Sequence, residues 1–469
     1  MPGTGSHLPQ DSAAVYPGRW RALAVIAPVQ FVLLLNISVV NVALPSIRHH
    51  FNLSDVTLTW VVTAYMIAAG SLLLLGGRIG DVIGLKRAFI VGIGLYGLAS
   101  LSAALAPTAW VLIASTAGQG VGEALAGATG LAMLSMLFPS GPERAKAFTL
   151  WAAIAGIGST VGVVVSGLLT DYFSWRWVFG INVPLIGGLA VACILLVPPM
   201  PAGRRVRLDI SLAVATVTAM AGLVWGLAGT SLEGLWLVRV LLVAAGAAGM
   251  AAVLWASRRG QDRIVPARLL QRSPRLVGYA IIGVQGAVNG AVFFLGALLM
   301  QDLLGFSPTQ AGFAWLPCCL GFFPGLWLSR VIQRRWSPRA AATVGLAMNG
   351  AAMAVFALGT YSDLFVVVSL PVSAVMTAGL GCVSPVSQSW ATLGLKGGDA
   401  GAGGALPMTV QQLANAAGIA LFASVAAALT IGPQAAAFDR PGFAGAFWVG
   451  SAVMVGIAIV AWRLAPRGR

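Results

Sequence analysis

The stretch that most constrains the fold of this chain is Gly77-Arg78-Ile79-Gly80-Asp81-Val82-Ile83-Gly84-Leu85-Lys86-Arg87. It places three glycines, an aspartate and several basic residues between two long apolar runs, 59–77 and 88–107. Glycine permits a tight turn and a close approach of the flanking segments, so the stretch predicts a short hairpin between two helices. Charges are costly among so many apolar residues, which indicates that the hairpin has a mechanical role at a membrane surface.

The composition predicts an all-α membrane protein. Of the 469 residues, 58% are hydrophobic and only 9% are charged, whereas about a quarter of the residues of a soluble protein are charged. Apolar stretches of about 20 residues, long enough to cross a bilayer, follow one another almost end to end. Lipid offers the backbone no hydrogen bonds, so such stretches are expected to be helices. The fourteen predicted transmembrane spans are 22–45, 59–77, 88–107, 109–133, 147–169, 177–198, 209–229, 236–256, 277–301, 309–329, 339–359, 363–388, 404–430 and 442–463.

The basic residues predict the orientation of these spans. The net charge is +15, and all but four of the 28 Lys and Arg residues fall in loops on one side of the predicted membrane. The four on the other side are Arg48, Arg176, Arg239 and Arg440. This asymmetry follows the positive-inside rule and predicts that both termini are cytoplasmic. The positive charge is therefore explained by membrane topology, and no nucleic-acid partner is expected.

A faint internal repeat predicts two similar halves. An offset of 248 residues aligns Gly77 with Gly325, Asp81 with Ser329, Lys86 with Arg334 and Arg87 with Arg335. Both copies lie on predicted cytoplasmic hairpins. The predicted organisation is a disordered cytoplasmic tail at 1–18, six-helix bundles at 19–198 and 277–463, a linker with two additional helices at 199–276, and a cytoplasmic tail at 464–469.

Several motifs in the correct order resemble the major facilitator superfamily, specifically its fourteen-span drug:proton antiporter branch. These motifs are the hairpin 77–87, the first-helix segment 35–45, Trp60 to Tyr65, the segment 175–184 and the segment 301–308. The resemblance implies a major facilitator fold with two six-helix bundles plus two extra helices in the cell membrane. It also implies alternating access and export of hydrophobic or amphipathic small molecules, driven by inward proton flow.

The chain also departs from the motifs of that branch. Asn36 stands where an Asp is usual, and Thr116 and Gln411 stand where Arg is usual. The helix 5 motif lacks its proline and one glycine, although Gly158, Gly162 and Gly167 remain. These glycines are candidates for the antiporter motif, and close packing without antiporter significance is the alternative.

In this superfamily the hairpin forms a gating latch between the two bundles. The candidate latch residues here are Gly77, Gly80, Asp81, Gly84, Lys86 and Arg87. Charges near a membrane surface can pair in one conformation and be hydrated in another. Ordinary positive-inside topology would explain Lys86 and Arg87, but it would not explain Asp81 and the three glycines.

Glu123 is the proton-coupling candidate, because it is the one carboxylate well inside a predicted span. A charge at the bilayer centre costs about 2.5–3.5 kcal/mol on insertion scales, so an acid at that depth is a functional candidate. A carboxyl group there can carry a proton or pair with a cation. The alternative is a protonated Glu that packs against a neighbouring helix. Asn36 cannot titrate, which makes Glu123 the obvious replacement for the missing Asp.

Polar residues within other spans are candidates for lining a substrate cavity. They are Asn36, Gln119, Gln411, Gln412 and Asn415. Interhelical hydrogen bonding is the alternative role for Asn36 and Gln119. Several aromatic residues could contact a planar substrate, although packing or interface anchoring is the commoner role of such residues. These are Trp151, Phe293, Phe294, Phe313 and Trp315.

Other classes of protein are disfavoured. The chain has no GxxxxGK[ST] phosphate-binding loop, no Cys/His cluster with metal spacing and no nucleophile–base set, so no enzyme, metal site or cofactor is expected. Two alternatives to proton-coupled export stay open. An uncoupled facilitator or importer would need no titratable group. A non-transporting receptor or regulator would lack a cavity of drug-like volume, about 300–1,000 Å³.

Overall fold

A computed structural model describes residues 18–138, 141–200, 210–228, 236–259, 273–361, 365–393, 400–430 and 438–464. All regular secondary structure in these ranges is helical. Most of the predicted N-terminal tail, the basic cluster at 204–207, the loop 260–272, Lys396 and the tail 465–469 lie outside the described residues. The helices are α1 (Arg19–Phe51), α2 (Asp55–Ile83), α3 (Leu85–Ala104), α4 (Ala109–Leu137), α5 (Gly141–Tyr172), α6 (Arg176–Gly180), α7 (Asn182–Leu196), α8 (Ile210–Ala228), α9 (Trp236–Arg259), α10 (Ser273–Leu298), α11 (Pro308–Ala314), α12 (Leu316–Arg335), α13 (Pro338–Gly359), α14 (Phe365–Ala391), α15 (Ala400–Leu429) and α16 (Arg440–Leu464), with a π turn at Leu299–Leu303 after α10.

Every predicted span overlaps one of these helices or a consecutive pair of them. In the described part of the chain, ten helices or consecutive helix pairs are long and apolar enough to cross a membrane. A helical membrane protein is therefore confirmed, whereas the number of fourteen crossings stays a prediction. Several helices extend beyond the predicted spans, because a helix can continue past the apolar layer into its polar boundary.

Two predicted spans are each divided into two helices. The first break separates α6 from α7 at Ile181, and the second separates α11 from α12 at Trp315. Pro184 and Pro317 follow these breaks closely. A proline has no backbone N–H to donate to the carbonyl four residues earlier, so each proline weakens the helix at that turn.

The hairpin at 77–87 is tighter than the sequence predicts. Helices α2 and α3 both extend into it, and the single residue Gly84 joins them with φ +94° and ψ 136°. This backbone conformation is in the region that favours glycine, so Gly84 permits the abrupt junction. The charged residues consequently project from two helix ends, and the predicted loop is absent there.

The helices pack in two groups with the same pairwise pattern. In the first group α1 contacts α5, while α4 contacts both α2 and α3, and α3 contacts α7. In the second group α10 contacts α15, while α14 contacts both α12 and α13, and α13 contacts α16. The pattern matches the 248-residue offset in the sequence. Helices α8 and α9 pack on each other, and α8 also contacts α2 and α15.

The two groups contact each other through α2 with α15, α5 with α11, and α1 with α10. Successive long helices run in opposite directions, which defines two ends of the molecule. The near end holds the α2–α3 junction at Gly84. The far end holds the α1–α2 connection at Phe51–Asp55. The space between the two groups contains the candidate site.

Candidate functional site

A cavity of about 290 Å³ lies between the two groups of helices. This volume is close to the lower limit of about 300 Å³ for small-molecule sites. Helices α1, α2, α4 and α5 line it from one group and α10, α14 and α15 from the other. The lining residues are Gln30, Leu34, Ile37, Ser38, Asn41, Met66, Ala69, Leu73, Glu123, Gly127, Leu131, Trp151, Ser159, Gly286, Asn289, Gly290, Phe293, Leu380, Met408, Gln411, Gln412 and Asn415.

The lining is amphipathic. Glu123 is the one ionisable side chain in it, and six amide side chains accompany a surface of Leu, Met and aromatic residues. The amides are Gln30, Asn41, Asn289, Gln411, Gln412 and Asn415. Such a cavity can hold an apolar body by burial and can orient polar groups by hydrogen bonds.

Glu123 connects the two groups of helices. Nε2 of Gln412, on α15, lies 3.5 Å from Oε1 of Glu123 on α4. The buried hydroxyls of Tyr65 and Tyr96 lie close enough to the carboxyl group to interact with it electrostatically. Among the described residues, however, neither hydroxyl nor Oε2 of Glu123 makes a well-formed hydrogen bond. A proton or a ligand on this carboxyl group would therefore have the two tyrosine hydroxyls as neighbours.

Three of the five predicted cavity residues line the cavity, namely Gln411, Gln412 and Asn415. The other two lie in contacts between helices of the first group. Nδ2 of Asn182 donates to Oδ1 of Asn36 at 2.9 Å, and Nε2 of Gln119 donates to Oγ of Ser100 at 2.8 Å. This geometry agrees with interhelical hydrogen bonding, and substrate contact by Asn36 and Gln119 stays a prediction.

The candidate latch residues make their contacts within the first group. A Cβ atom added to Gly80 would lie 2.7 Å from Cγ2 of Thr129, so this glycine allows α2 to pack closely on α4. Nζ of Lys86 donates to the carbonyl oxygens of Ile194 at 2.9 Å and Val197 at 2.6 Å. Lys86 therefore holds the start of α3 against the end of α7, where a positive charge also suits the helix dipole.

The remaining latch residues are less constrained. A Cβ atom added to Gly77 would lie 3.8 Å from Cβ of Ala128, an ordinary contact with α4. Asp81 and Arg87 are exposed. The carboxylate of Asp81 interacts electrostatically with Arg78, one turn earlier on the same helix. A latch between the two groups stays a prediction.

The glycines of the helix 5 motif divide between two partners. A Cβ atom added to Gly158 would lie 2.6 Å from the carbonyl oxygen of Phe31, and one added to Gly162 would lie 2.8 Å from that of Leu35. Both glycines thus pack α5 on α1. A Cβ atom added to Gly167 would lie 2.6 Å from the carbonyl oxygen of Pro308, so Gly167 packs α5 on α11 of the second group.

Polar contacts join the two groups at the far end. Arg48 Nη1 and His49 Nε2 lie 3.3 Å and 3.4 Å from the carboxylate of Asp302. Nε2 of Gln301 donates to the carbonyl oxygen of Val42 at 2.8 Å. These residues were not among the predicted site residues. Gln301 and Asp302 lie within a recognised motif, but the sequence carries no signal that pairs them with α1.

A second far-end contact joins α5 to α11. The backbone N–H of Thr309, near the start of α11, donates to Oδ2 of Asp171 at 2.8 Å. An acidic side chain at a helix N-terminus is favourable for the helix dipole. Together with the crossing at Gly167, this contact fixes the end of α5 against the second group.

The predicted aromatic residues occupy three environments. Trp151 and Phe293 line the cavity. Trp315 is buried behind it and stacks on Phe293 with ring centroids 4.6 Å apart. Phe294 is fully buried in the helix packing, while Phe313 is 50% exposed. Phe294 and Phe313 thus do not line this cavity, which agrees with the packing or anchoring role that is commoner for such residues.

Helices that pack in two similar groups, with an amphipathic cavity between them, define the class of membrane transporters that work by alternating access. The chain belongs to the major facilitator superfamily, because the family model described as Major Facilitator Superfamily matches residues 26–419.

Known proteins are similar over almost the whole chain. The puromycin resistance protein of Streptomyces alboniger is 33% identical over 438 residues, covering 91% of this chain and 86% of that protein. The cephamycin export protein of Amycolatopsis lactamdurans is 33% identical over 457 residues, covering 94% and 91%. The structure of the nucleoside transporter NupG superposes with a TM-score of 0.68 at 12% identity, covering 95% of this chain and 99% of that one, and supports the fold alone.

Proposed function

We propose that this protein exports hydrophobic or amphipathic small molecules, such as antibiotics, across the cell membrane and couples export to inward proton flow. The amphipathic cavity between the two groups of helices is the observation that carries the proposal. It offers apolar surface for the body of a substrate and amides for its polar groups, beside a single carboxylate. The relatives named for puromycin resistance and cephamycin export support the direction of transport and the substrate class.

The proposed architecture has two bundles of six membrane-spanning helices, at 19–198 and 277–463. The region 199–276 supplies two further helices, for fourteen crossings in total, and both termini are cytoplasmic. The repeated packing pattern supports the two bundles. The bias of Lys and Arg towards one side supports the orientation. In this orientation the near end is cytoplasmic and the far end is external.

The proposed transport cycle alternates between two closures. The described conformation has an ion pair, other polar contacts and helix crossings between the bundles at the far end, so we assign it to a state closed to the exterior. Rocking of the bundles would break these contacts and bring the near ends together. The residues of the α2–α3 junction would then meet the second bundle and act as the latch. Alternation of this kind exposes one central site to each side in turn.

Glu123 is the proposed coupling group. It lies in the cavity and faces Gln412 of the other bundle, so a change in its charge acts on both substrate binding and the contact between bundles. A proton and a substrate that both use this carboxyl group cannot bind there independently. That competition is sufficient to link proton entry to substrate exit.

The test is a resistance and accumulation screen in an efflux-deficient bacterial host, followed by transport in inverted membrane vesicles with and without an imposed pH gradient. We expect resistance to at least one amphipathic antibiotic, lower accumulation of it, and vesicle uptake that rises with an inside-acid gradient. Absence of resistance and of uptake across a broad panel would overturn the proposal of export.

An uncoupled facilitator or importer is the second candidate. Neutral residues stand at three positions where the antiporter branch carries charges, namely Asn36, Thr116 and Gln411. Thr116 is buried and donates to the carbonyl oxygen of Ile113 at 2.9 Å, so this neutral side chain is hydrogen-bonded within its own helix. Transport that is identical with and without a pH gradient would favour this candidate. The non-transporting receptor is disfavoured by family membership and by the central cavity.

A further inference from the structure

Two asparagines in the cavity are related by the internal repeat. Asn41 on α1 and Asn289 on α10 are separated by 248 residues, the same offset that aligns Gly77 with Gly325. Both line the cavity, one from each group of helices. The first helices of the two halves therefore contribute the same side chain to one space.

Both asparagines have the same hydrogen-bond geometry. Nδ2 of Asn41 donates to the carbonyl oxygen of Ile37 at 2.8 Å, and Nδ2 of Asn289 donates to that of Gln285 at 2.8 Å. A carbonyl oxygen can only accept, so these bonds fix the amide nitrogen on the helix side of each side chain. The two Oδ1 atoms are left buried and without a hydrogen-bond partner among the described residues.

Glu123 adds a third acceptor to this cavity. Its Oε1 faces Nε2 of Gln412, while its Oε2 is buried and, within the described ranges, is also without a hydrogen-bond partner. Two amide oxygens and a carboxylate oxygen thus line one cavity as acceptors, with the hydroxyls of Tyr65 and Tyr96 as the nearby donors on the Glu123 side. Gln30, Gln411 and Asn415 add amides that can both donate and accept.

A buried acceptor without a donor costs free energy, which a ligand can recover by donating to it. A primary ammonium group has three N–H donors and a positive charge, so it can donate both to amide oxygens and to a carboxylate oxygen of such a lining. A quaternary ammonium has the charge without donors, and a neutral amide has one donor without the charge. The acceptor set therefore distinguishes a primary amine from both.

We propose that Asn41, Asn289 and Glu123 form a subsite for the primary ammonium group of the transported molecule, whose apolar or aromatic body lies against Phe293, Trp151 and the cavity methionines. This deepens the proposed function and rests on it. The two asparagines are the specificity-determining pair, and Glu123 supplies the opposite charge.

The test uses the full chain in lipid nanodiscs and tritiated tryptamine, a small aromatic primary amine, in a scintillation proximity binding assay. N,N,N-trimethyltryptammonium and N-acetyltryptamine serve as competitors that keep the aromatic body and alter only the amine. We expect tryptamine to bind more tightly than both. Asn41→Ala and Asn289→Ala are each expected to weaken tryptamine binding about ten-fold or more, as for loss of a hydrogen bond to a charged group. Binding of the trimethyl analogue should stay within about two-fold.

Two further variants and one control variant make the test specific. Asn289→Asp keeps an acceptor oxygen and should retain tryptamine binding, whereas Glu123→Gln should weaken binding of both cations. Asn349→Ala is the matched control. Nδ2 of Asn349 also donates to a backbone carbonyl, and its Oδ1 is buried and unpaired in the described structure, but Asn349 lies outside the cavity lining. It should leave the ratio of the two affinities unchanged.

The subsite is refuted if wild-type protein binds no tryptamine, or if the alanine variants weaken the binding of both cations equally. It is also refuted if they weaken the binding of neither cation, which is the result expected when the acceptors are merely hydrated. These outcomes are separable from failure of the proposed function. A protein that confers resistance to antibiotics but fails this binding test is an exporter without an ammonium subsite.

Discussion

Glu123 concentrates the electrostatics of the cavity in one side chain. It is the only ionisable group among the described residues that line this space, and Gln412 approaches it from the opposite group of helices. Glu123→Gln keeps the size of the side chain and one acceptor oxygen but removes its ability to titrate. We therefore expect the variant to lose the response of transport to an imposed pH gradient, measured as substrate uptake in inverted vesicles.

The matched control is Glu143→Gln. Glu143 lies in the first turn of α5, where it pairs with Arg19 away from the cavity. The control should keep the full pH response. If Glu123→Gln transports with an unaltered response, Glu123 has no part in proton coupling.

Lys86 illustrates how one side chain can hold two elements together. Its ammonium group donates to two carbonyl oxygens at the end of α7, which no intrahelical donor can reach. We expect Lys86→Ala to lower the stability of the protein by about 1 kcal/mol, since each such bond contributes about this much and part of the site is exposed. Thermal unfolding in detergent, compared with wild type, measures the effect.

Arg87→Ala provides the comparison for Lys86. Arg87 is exposed at the same junction and carries the same charge, so its loss should change the unfolding temperature much less. Equal destabilisation by the two variants would mean that Lys86 acts through general surface charge and that its carbonyl contacts contribute little.

At the scale of helices, the crossing of α5 and α11 depends on glycine at two positions. A Cβ atom added to Gly167 would lie 2.6 Å from the carbonyl oxygen of Pro308, and one added to Gly312 would lie 2.5 Å from that of Val163. Rigid backbone atoms cannot yield as a flexible side chain can, so overpacking here should cost about 1–3 kcal/mol. The helices must separate to relieve it.

We expect Gly167→Ala and Gly312→Ala each to shift the protein towards a conformation open at the far end. Spin labels on α5 and α11, with distances measured by double electron–electron resonance, report the separation. Gly187→Ala on α7 is the control, because a Cβ atom there meets nothing within 4 Å. Distances that match those of the control would show that the crossing tolerates a methyl group.

The scale of the whole molecule separates what the sequence can predict from what it cannot. The helices were predictable because lipid forces apolar segments to satisfy their own backbone hydrogen bonds. Gln411, Gln412 and Asn415 were predictable as cavity residues, and Glu123 as a functional acid, because polar groups in such segments are rare. Asn36 and Gln119 carry the same signal, yet each is bonded to a neighbouring helix, and only the tertiary structure reveals that.

Contacts between distant parts of the chain were the least predictable. Arg48 lies in the last turn of α1 and Asp302 in the π turn that follows α10, and they are 254 positions apart, although each sits close to a recognisable motif. Composition and periodicity report on local burial and do not pair residues across the molecule. The 248-residue offset is a long-range signal in the sequence, and the helices that it relates have equivalent packing partners among the described residues.

The far-end ion pair makes a prediction about the whole transport cycle. Asp302 contacts Arg48 and His49 of the other group and is largely shielded from solvent, so losing either partner leaves a charge poorly paired. Asp302→Asn and Arg48→Gln should each favour the state open at the far end.

The reporter of this opening is a cysteine placed in the cavity by Ser38→Cys. The half-buried Cys319 is replaced by Ser, since the other three cysteines are buried. On intact cells, a membrane-impermeant maleimide should label this cysteine faster in both variants than in the parent. The charge exchange Arg48→Asp with Asp302→Arg should restore slow labelling, because the pair is re-formed with the signs reversed. Fast external labelling of the parent would place the far end on the cytoplasmic side or show that it is open, and either result contradicts the proposed orientation and state.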